Sequence, residues 1–186
     1  MSPQRPRQRL YLITPQLGDT ASFARDIGAA LEAGDIAAVL LRLEPADERT
    51  LVDRAKAIAA VAQRRDIALI LDGHSQIVAR AGAGGLRSRH DAMLAGEASA
   101  DYVMFGEPDG GGGRPSSDAI EDRLVWWSEL FEAPCVGYAA NLDEVGPLAQ
   151  AGADFVALGD WIWTPSQGSA AVVAEAASRL ATLAAP

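Results

Sequence analysis

One hand-over is written into this chain three times. Leu31-Glu32-Ala33-Gly34-Asp35-Ile36-Ala37-Ala38-Val39 returns as Leu94-Ala95-Gly96-Glu97-Ala98-Ser99-Ala100-Asp101-Tyr102-Val103. It returns again as Leu148-Ala149-Gln150-Ala151-Gly152-Ala153-Asp154-Phe155-Val156. Each copy ends an apolar-faced helix, offers a glycine that can take a left-handed cap, and runs into a β-rich apolar stretch. A chain that passes from helix to strand in the same way each time is building βα units. Such units cross over right-handed and lay their strands parallel.

The strands predicted between these junctions are short and apolar nearly throughout: Leu10–Ile13, Ala38–Leu43, Ala68–Leu71, Tyr102–Phe105, Cys135–Tyr138 and Phe155–Leu158. Apolar runs without alternation belong to strands covered on both faces. Helical spacing lies between them, at Phe23, Ile27, Ala30 and Leu31, at Leu51, Ala55, Ile58 and Ala62, and at Ile120, Leu124, Trp127 and Phe131. Val173, Ala177 and Leu180 repeat it near the end of the chain. Asn141-Leu142-Asp143-Glu144 reads as a capping box, and Asp118 with Glu121 as a weaker one. The 29 residues between Asp72 and Tyr102 have room for one glycine-rich strand at Ala81–Leu86 and one short helix at Ser88–Ala95. A complete eight-unit barrel would need two βα units there, so about seven strands are expected.

A length of 186 residues with 49% hydrophobic residues suits one domain, expected over residues 9–186 behind a flexible tail at 1–8. That tail lacks the apolar core of a signal peptide, and no apolar run reaches a membrane span. A cytoplasmic protein of bacterial type is the expectation, and whether it forms a homo-oligomer stays open. A net charge of −9 opposes the counterion release on which non-specific nucleic-acid binding depends. Cys135 is the only cysteine and lies in an apolar run, which suits a buried thiol. With two histidines in the chain, a Cys/His zinc site is excluded. Lys56, the only lysine, sits on a helix away from any strand end, which excludes Schiff-base chemistry.

Ligands of parallel sheets meet the C-terminal strand ends. Those ends carry Arg42 and Glu44, then Asp72, Gly73 and His74, then Gly106 and Glu107. Gly137, Ala139, Ala140 and Asn141 follow, and last Gly159, Asp160 and Trp161. Asp72 suits either a strand-end cap or a Mg²⁺ ligand beside a diphosphate. Arg42 suits bidentate phosphate recognition or an ion pair with Glu44 or Asp72. His74 could donate to a phosphate. Gly110–Gly113 followed by Arg114 could wrap a phosphate with backbone N–H groups or form a plain flexible loop. Gly137 through Asn141, opening a helix, is the better phosphate site, with Asn141 also serving as N-cap.

In this order the motifs resemble the thiamine-phosphate synthase and thiazole tautomerase family. The likeness runs from Arg9-Leu10-Tyr11-Leu12-Ile13-Thr14 through Leu41-Arg42-Leu43-Glu44, Leu71-Asp72-Gly73-His74 and Tyr102-Val103-Met104-Phe105-Gly106-Glu107-Pro108. It continues in Val136-Gly137-Tyr138-Ala139-Ala140-Asn141 and Gly152-Ala153-Asp154-Phe155-Val156-Ala157. The resemblance implies a parallel (β/α)8-type TIM barrel, one unit short in this chain. It implies a transferase of thiamine biosynthesis, which joins an aminopyrimidine diphosphate to a thiazole phosphate and releases diphosphate. Arg42 and Asp72 would then be catalytic, with Asp72 holding Mg²⁺. Arg42, His74, Arg114, Gly137, Ala139, Asn141 and Gly159 would bind substrate or phosphate. The partner is a small phosphorylated metabolite, with no nucleic acid and no membrane. The chain departs from the family pattern at Leu71, where the family has Asn, and at Asp160, where it has a small Ser. Two other readings share the same barrel mouth. One is a non-catalytic or repurposed phosphometabolite-binding barrel, the other an isomerase using His74 or Glu107 as acid or base.

Overall fold

The chain opens on a strand that bulges where its sequence turns from apolar to polar. The computed structural model describes residues 7–73, 83–86, 93, 100–164 and 168–183. The first strand, β1 (Arg9–Leu17), pairs Ile13 with Leu40 but Gln16 with Arg42, so β1 spends one residue more than its neighbour β2 (Ile36–Leu43). Thr14 and Pro15 make this bulge. The fully buried Thr14 hydroxyl accepts the N–H of Arg42 at 3.0 Å, and Trp163 Nε1 donates to the carbonyl of Ile13 at 2.7 Å. Both groups satisfy backbone that the bulge leaves without a ladder partner.

Five further strands follow: β3 (Ala68–Leu71), β4 (Ala83–Leu86), β5 (Val103–Phe105), β6 (Cys135–Ala139) and β7 (Phe155–Leu158). They lie in one parallel sheet with the order β3-β2-β1-β7-β6-β5-β4. The helices are α1 (Thr20–Glu32), α2 (Glu48–Ala62), α3 (Ser117–Leu130), α4 (Val145–Gln150) and α5 (Ser169–Leu183). Asp19, Asp47 and Ser116 cap α1, α2 and α3 through their side-chain oxygens. The cap of α3 is therefore Ser116, two residues ahead of the Asp118–Glu121 pair read from the sequence. The expected helix at 88–95 lies outside the described residues apart from Met93.

Two apolar clusters show how the sheet curls. The larger one packs the helices on the outer face and contains Leu10, Leu12, Ile27, Leu31, Ile58, Leu124, Trp127 and Val173. Trp127 is fully buried, stacks on Phe131 at 4.1 Å between ring centres and donates Nε1 to the carbonyl of Ala133 at 2.7 Å. Cys135 is buried here, as its apolar run requires. The smaller cluster gathers the other face: Tyr11, Ile13, Ala38, Leu40, Tyr102, Met104, Val136, Tyr138 and Ala157. Tyr11 from β1 and Tyr102 at the entry to β5 meet hydroxyl to hydroxyl at 2.9 Å, although β7 and β6 lie between those strands. Side chains stand roughly perpendicular to a sheet, so only a sheet rolled about this face brings them together. The architecture is a curled parallel α/β sheet of TIM-barrel type, with its helices outside.

Candidate active site at the strand ends

A cavity of about 790 Å³ opens at the C-terminal ends of β2, β3, β5, β6 and β7. Gln16, Arg42, Asp72, Glu107, Asp109, Tyr138 and Asp160 are among the residues that line it. Arg42 leaves the next-to-last position of β2. Its Nε donates to Asp72 Oδ2 at 2.8 Å, and its Nη2 donates to Glu107 Oε1. Asp72 directly follows β3 and Glu107 follows β5, so the guanidinium bridges loops that leave opposite parts of the sheet.

Burial works against the charge on Arg42, but the hydrogen bonds to Asp72 and Glu107 outweigh it and raise the guanidinium's pKa above its ordinary value. Arg42 is thus a fixed cation. Two of its five N–H groups are occupied by these contacts. Asp72 remains partly exposed, with 45% of its side chain accessible, whereas Glu107 is 10% exposed. Beneath them, burial and their mutual contact raise Tyr11, and burial raises Tyr102. Both phenols are therefore neutral floor residues. Burial and the charge of Asp160 likewise raise Tyr138.

Gly106 and Gly159 are glycines for reasons of space. Gly106 has φ +90°, and a Cβ there would stand 2.7 Å from Ile120 Cδ1. It turns the chain out of β5 and aims Glu107 at Arg42. A Cβ on Gly159 would lie 2.2 Å from the Tyr138 hydroxyl. Gly159 therefore takes part in the site by letting the Tyr138 ring pass, and no atom of it lines the cavity among the described residues.

The structure brings Arg42 and Asp72 together at the cavity and distributes the other sequence-derived candidates elsewhere. Arg114 points away from the lining. It forks onto Glu144, with three N–H···O contacts of 3.0 Å, and donates to the carbonyls of Gly106 and Tyr138. The glycine run folds back on Asp109, whose Oδ1 accepts from Gly111 N at 2.9 Å and Gly113 N at 2.8 Å. Those N–H groups serve the loop's own carboxylate. A Cβ on Gly137 would face Leu124, Leu148 and Ala153, which places this glycine under the helix layer. The carbonyl of Ala139 accepts Trp161 Nε1 at 2.8 Å. Asn141 caps the short 3₁₀ turn Leu142–Glu144 by accepting from Asp143 N and Glu144 N. Glu144 does not close the expected box on Asn141; it accepts the N–H of Ala140 instead, at 2.9 Å. His74 lies outside the described residues.

Gln16, Tyr138 and Glu144 were missing from the candidates. Gln16 reaches the cavity because of the bulge, which an apolar pattern cannot reveal. Tyr138 is an inward residue of a strand that reads as continuous core. Glu107 stood at a strand end and could be found there, but its pairing with Arg42 depends on curl alone.

Known proteins resemble this chain in sequence and in fold. A family model described as thiamine monophosphate synthase matches residues 10–87. A thiamine-phosphate synthase of Rhodospirillum centenum is 38% identical, over 90% of this chain and 95% of that protein. One from Hyphomonas neptunium is 31% identical, over 91% of this chain and 92% of that protein. Among solved structures, thiamine phosphate pyrophosphorylase from Pyrococcus furiosus superposes with a TM-score of 0.75 at 18% identity. That match covers 97% of this chain and 99% of the other. The (S)-3-O-geranylgeranylglyceryl phosphate synthase of Thermoplasma acidophilum gives 0.57 at 16% identity and shares the fold. Relatives above 30% identity, aligned over nine tenths of the chain, show that this protein belongs to the thiamine-phosphate synthase family.

Proposed function

We propose that the chain is a transferase of thiamine biosynthesis, joining an aminopyrimidine diphosphate to a thiazole with release of diphosphate. Thiazole phosphate is the acceptor that the resemblance implies. The reading is supported chiefly by Arg42, a fixed cation at the cavity, positioned by Asp72 and Glu107 from two different loops. Leaving-group departure of this kind asks for stabilised charge on the diphosphate and for no protein nucleophile. Arg42 would bind the diphosphate with its remaining N–H groups. Glu107 would keep the guanidinium aimed, and the tyrosine floor would keep water from the reacting carbon.

A Mg²⁺ ion fits this arrangement in one way. Among the described residues no group of three or more His, Cys, Asp or Glu is placed to hold a metal, so there is no protein cage. Mg²⁺ ordinarily keeps several waters and binds through one or two carboxylates plus substrate phosphates. Asp72, partly exposed at the cavity edge, is the residue that would hold it. When bound, the ion would neutralise charge on the leaving diphosphate.

The same reading makes residues 9–186 one barrel domain, the eight-fold βα barrel with about seven strands. It makes the protein cytoplasmic and its partners small phosphorylated metabolites. Among the described residues no helix is long and apolar enough to cross a membrane. The test is direct: purified protein with the aminopyrimidine diphosphate, a thiazole acceptor and Mg²⁺, monitored for diphosphate and for the coupled product. Turnover that is lost in Arg42→Ala supports the reading, and turnover indifferent to Arg42 overturns it.

A further inference from the structure

The bulge in β1 decides which way Gln16 faces. Along a strand, successive side chains alternate between the two faces of the sheet. Tyr11 and Ile13 belong to the inner cluster, and Leu10 and Leu12 to the outer one beneath the helices. Unbroken alternation would send position 16 outward with Leu10 and Leu12. The pairing passes instead from Ile13 with Leu40 to Gln16 with Arg42, three residues of β1 against two of β2. That extra residue reverses the alternation. Gln16 therefore turns inward beside Arg42 and lines the cavity, while Leu17 and its partner Leu43 rejoin the outer cluster.

The chain braces this arrangement from behind. The Thr14 hydroxyl takes the N–H of Arg42, and Trp163 donates to the carbonyl of Ile13, so the backbone on either side of the bulge is tied down. The Gln16 side chain itself is exposed, and among the described residues its amide has no hydrogen-bond partner. A primary amide carries a donor and an acceptor side by side on one edge. Among the described residues no other lining side chain has that pair. Arg42 only donates, the carboxylates accept, and Tyr138 offers a single oxygen. The inward layer beneath, Ile13 and Leu40, is apolar and supplies neither group.

We propose that Gln16 is the specificity residue for the aminopyrimidine ring, pairing its amide edge with the exocyclic amine and the adjacent ring nitrogen. The amide oxygen accepts from the amine, and the amide nitrogen donates to the ring nitrogen. An amide side chain reads the edge of adenine in the same two-point manner. The inference rests on the transferase reading above, in which Arg42 binds the diphosphate of the same substrate. Neighbouring strands run about 4.8 Å apart, so two long side chains from paired positions reach the two ends of one small molecule. The bulge thus serves substrate choice: it sets the group that reads the ring beside the group that holds the diphosphate.

The experiment compares two substrates that differ by one group. Wild type and Gln16→Leu receive either the aminopyrimidine diphosphate or its analogue with hydrogen in place of the amine, together with thiazole phosphate and Mg²⁺. Coupling is followed by chromatography, and binding of each pyrimidine diphosphate is measured separately by calorimetry. Wild type should favour the amino compound by about ten-fold in kcat/KM, since its amide is left half paired by the analogue. Gln16→Leu should compress that ratio to about three-fold or less, and calorimetry should show the same compression. A merely structural role for Gln16 would weaken both substrates alike and leave the ratio unchanged. A ratio that survives in Gln16→Leu overturns the inference and leaves the transferase reading standing. No coupling by wild type, with a binding ratio that still depends on Gln16, removes the transferase reading and supports Gln16 as the group that reads the ring. Failure of wild type to bind either compound overturns both. Should Gln16→Leu not fold, Gln16→Glu keeps the shape, removes the donor and carries the comparison.

Discussion

Arg42 and Glu107 form an ion pair across the mouth of a rolled sheet, although four strand-to-strand steps separate β2 from β5. The pair fixes the cation over the cavity and gives Glu107, 10% exposed, its compensation for burial. Arg42→Met should remove turnover and leave Glu107 uncompensated, costing about 1–3 kcal/mol of stability, less than for a fully buried pair because Arg42 is partly exposed. Adding Glu107→Gln should return most of that stability but none of the activity. Urea melts and diphosphate release, measured on both variants, check the two halves separately.

The bulge at Thr14 is a positioning device for the same arginine. Its hydroxyl accepts the N–H of Arg42, and Val would leave that N–H buried without a partner. Thr14→Val should cost about 1–3 kcal/mol and lower kcat/KM while Thr14→Ser retains both. The Ser variant separates loss of the hydrogen bond from loss of volume.

Gly159 and Tyr138 are coupled by contact. Gly159→Ala should displace the Tyr138 ring and cost about 1–3 kcal/mol, as overpacking does. The double variant with Tyr138→Ala should be non-additive, recovering part of that loss. Additive effects in thermal melts would break the proposed coupling.

The pH dependence has two limbs with opposite causes. Glu144 has a depressed folded-state pKa, so its contribution is complete above the ordinary carboxylate pKa of 4.5 and disappears as pH falls through the folded value. Acid melts should lose this limb in Glu144→Gln. Tyr11 and Tyr102 have raised pKa values relative to 10.0. The native state therefore holds their protons longer than the unfolded chain does. Their contribution is complete below pH 10.0 and declines as pH rises above it. Tyr11→Phe combined with Tyr102→Phe should flatten the alkaline limb of urea-derived stability.

Much of the fold was legible because it rests on periodicity. β3 and β7 begin and end where their apolar runs do, and the helix faces read from Ile27, Ile58, Leu124 and Val173 are those that pack the sheet. β1 runs past its expected end at Ile13 to Leu17 because the bulge at Thr14 and Pro15 carries the pairing onward. The candidate site was half legible. Strand-end logic reached Arg42 and Asp72. It left Arg114 and the glycine run open between a phosphate wrap and a plain loop, and their donors turn inward to Glu144 and Asp109, because a sequence shows that a group can donate without showing to whom.

By itself the sequence determined the succession of βα units, the parallel sheet and the end of that sheet where polar groups collect. These follow from local rules: apolar period, caps and glycine hand-overs act over a few residues and need no distant partner. Only the tertiary structure decided which of those polar groups share a space. Curl brings Tyr11 to Tyr102 and Arg42 to Glu107, and charge pairing then chooses among neighbours that sequence distance does not rank. The same competition gave Arg114 to Glu144, so a residue suited to phosphate serves an internal carboxylate. Where a charge finds its partner is a three-dimensional minimisation, and that is why the hand-over could be read along the chain while the site could not.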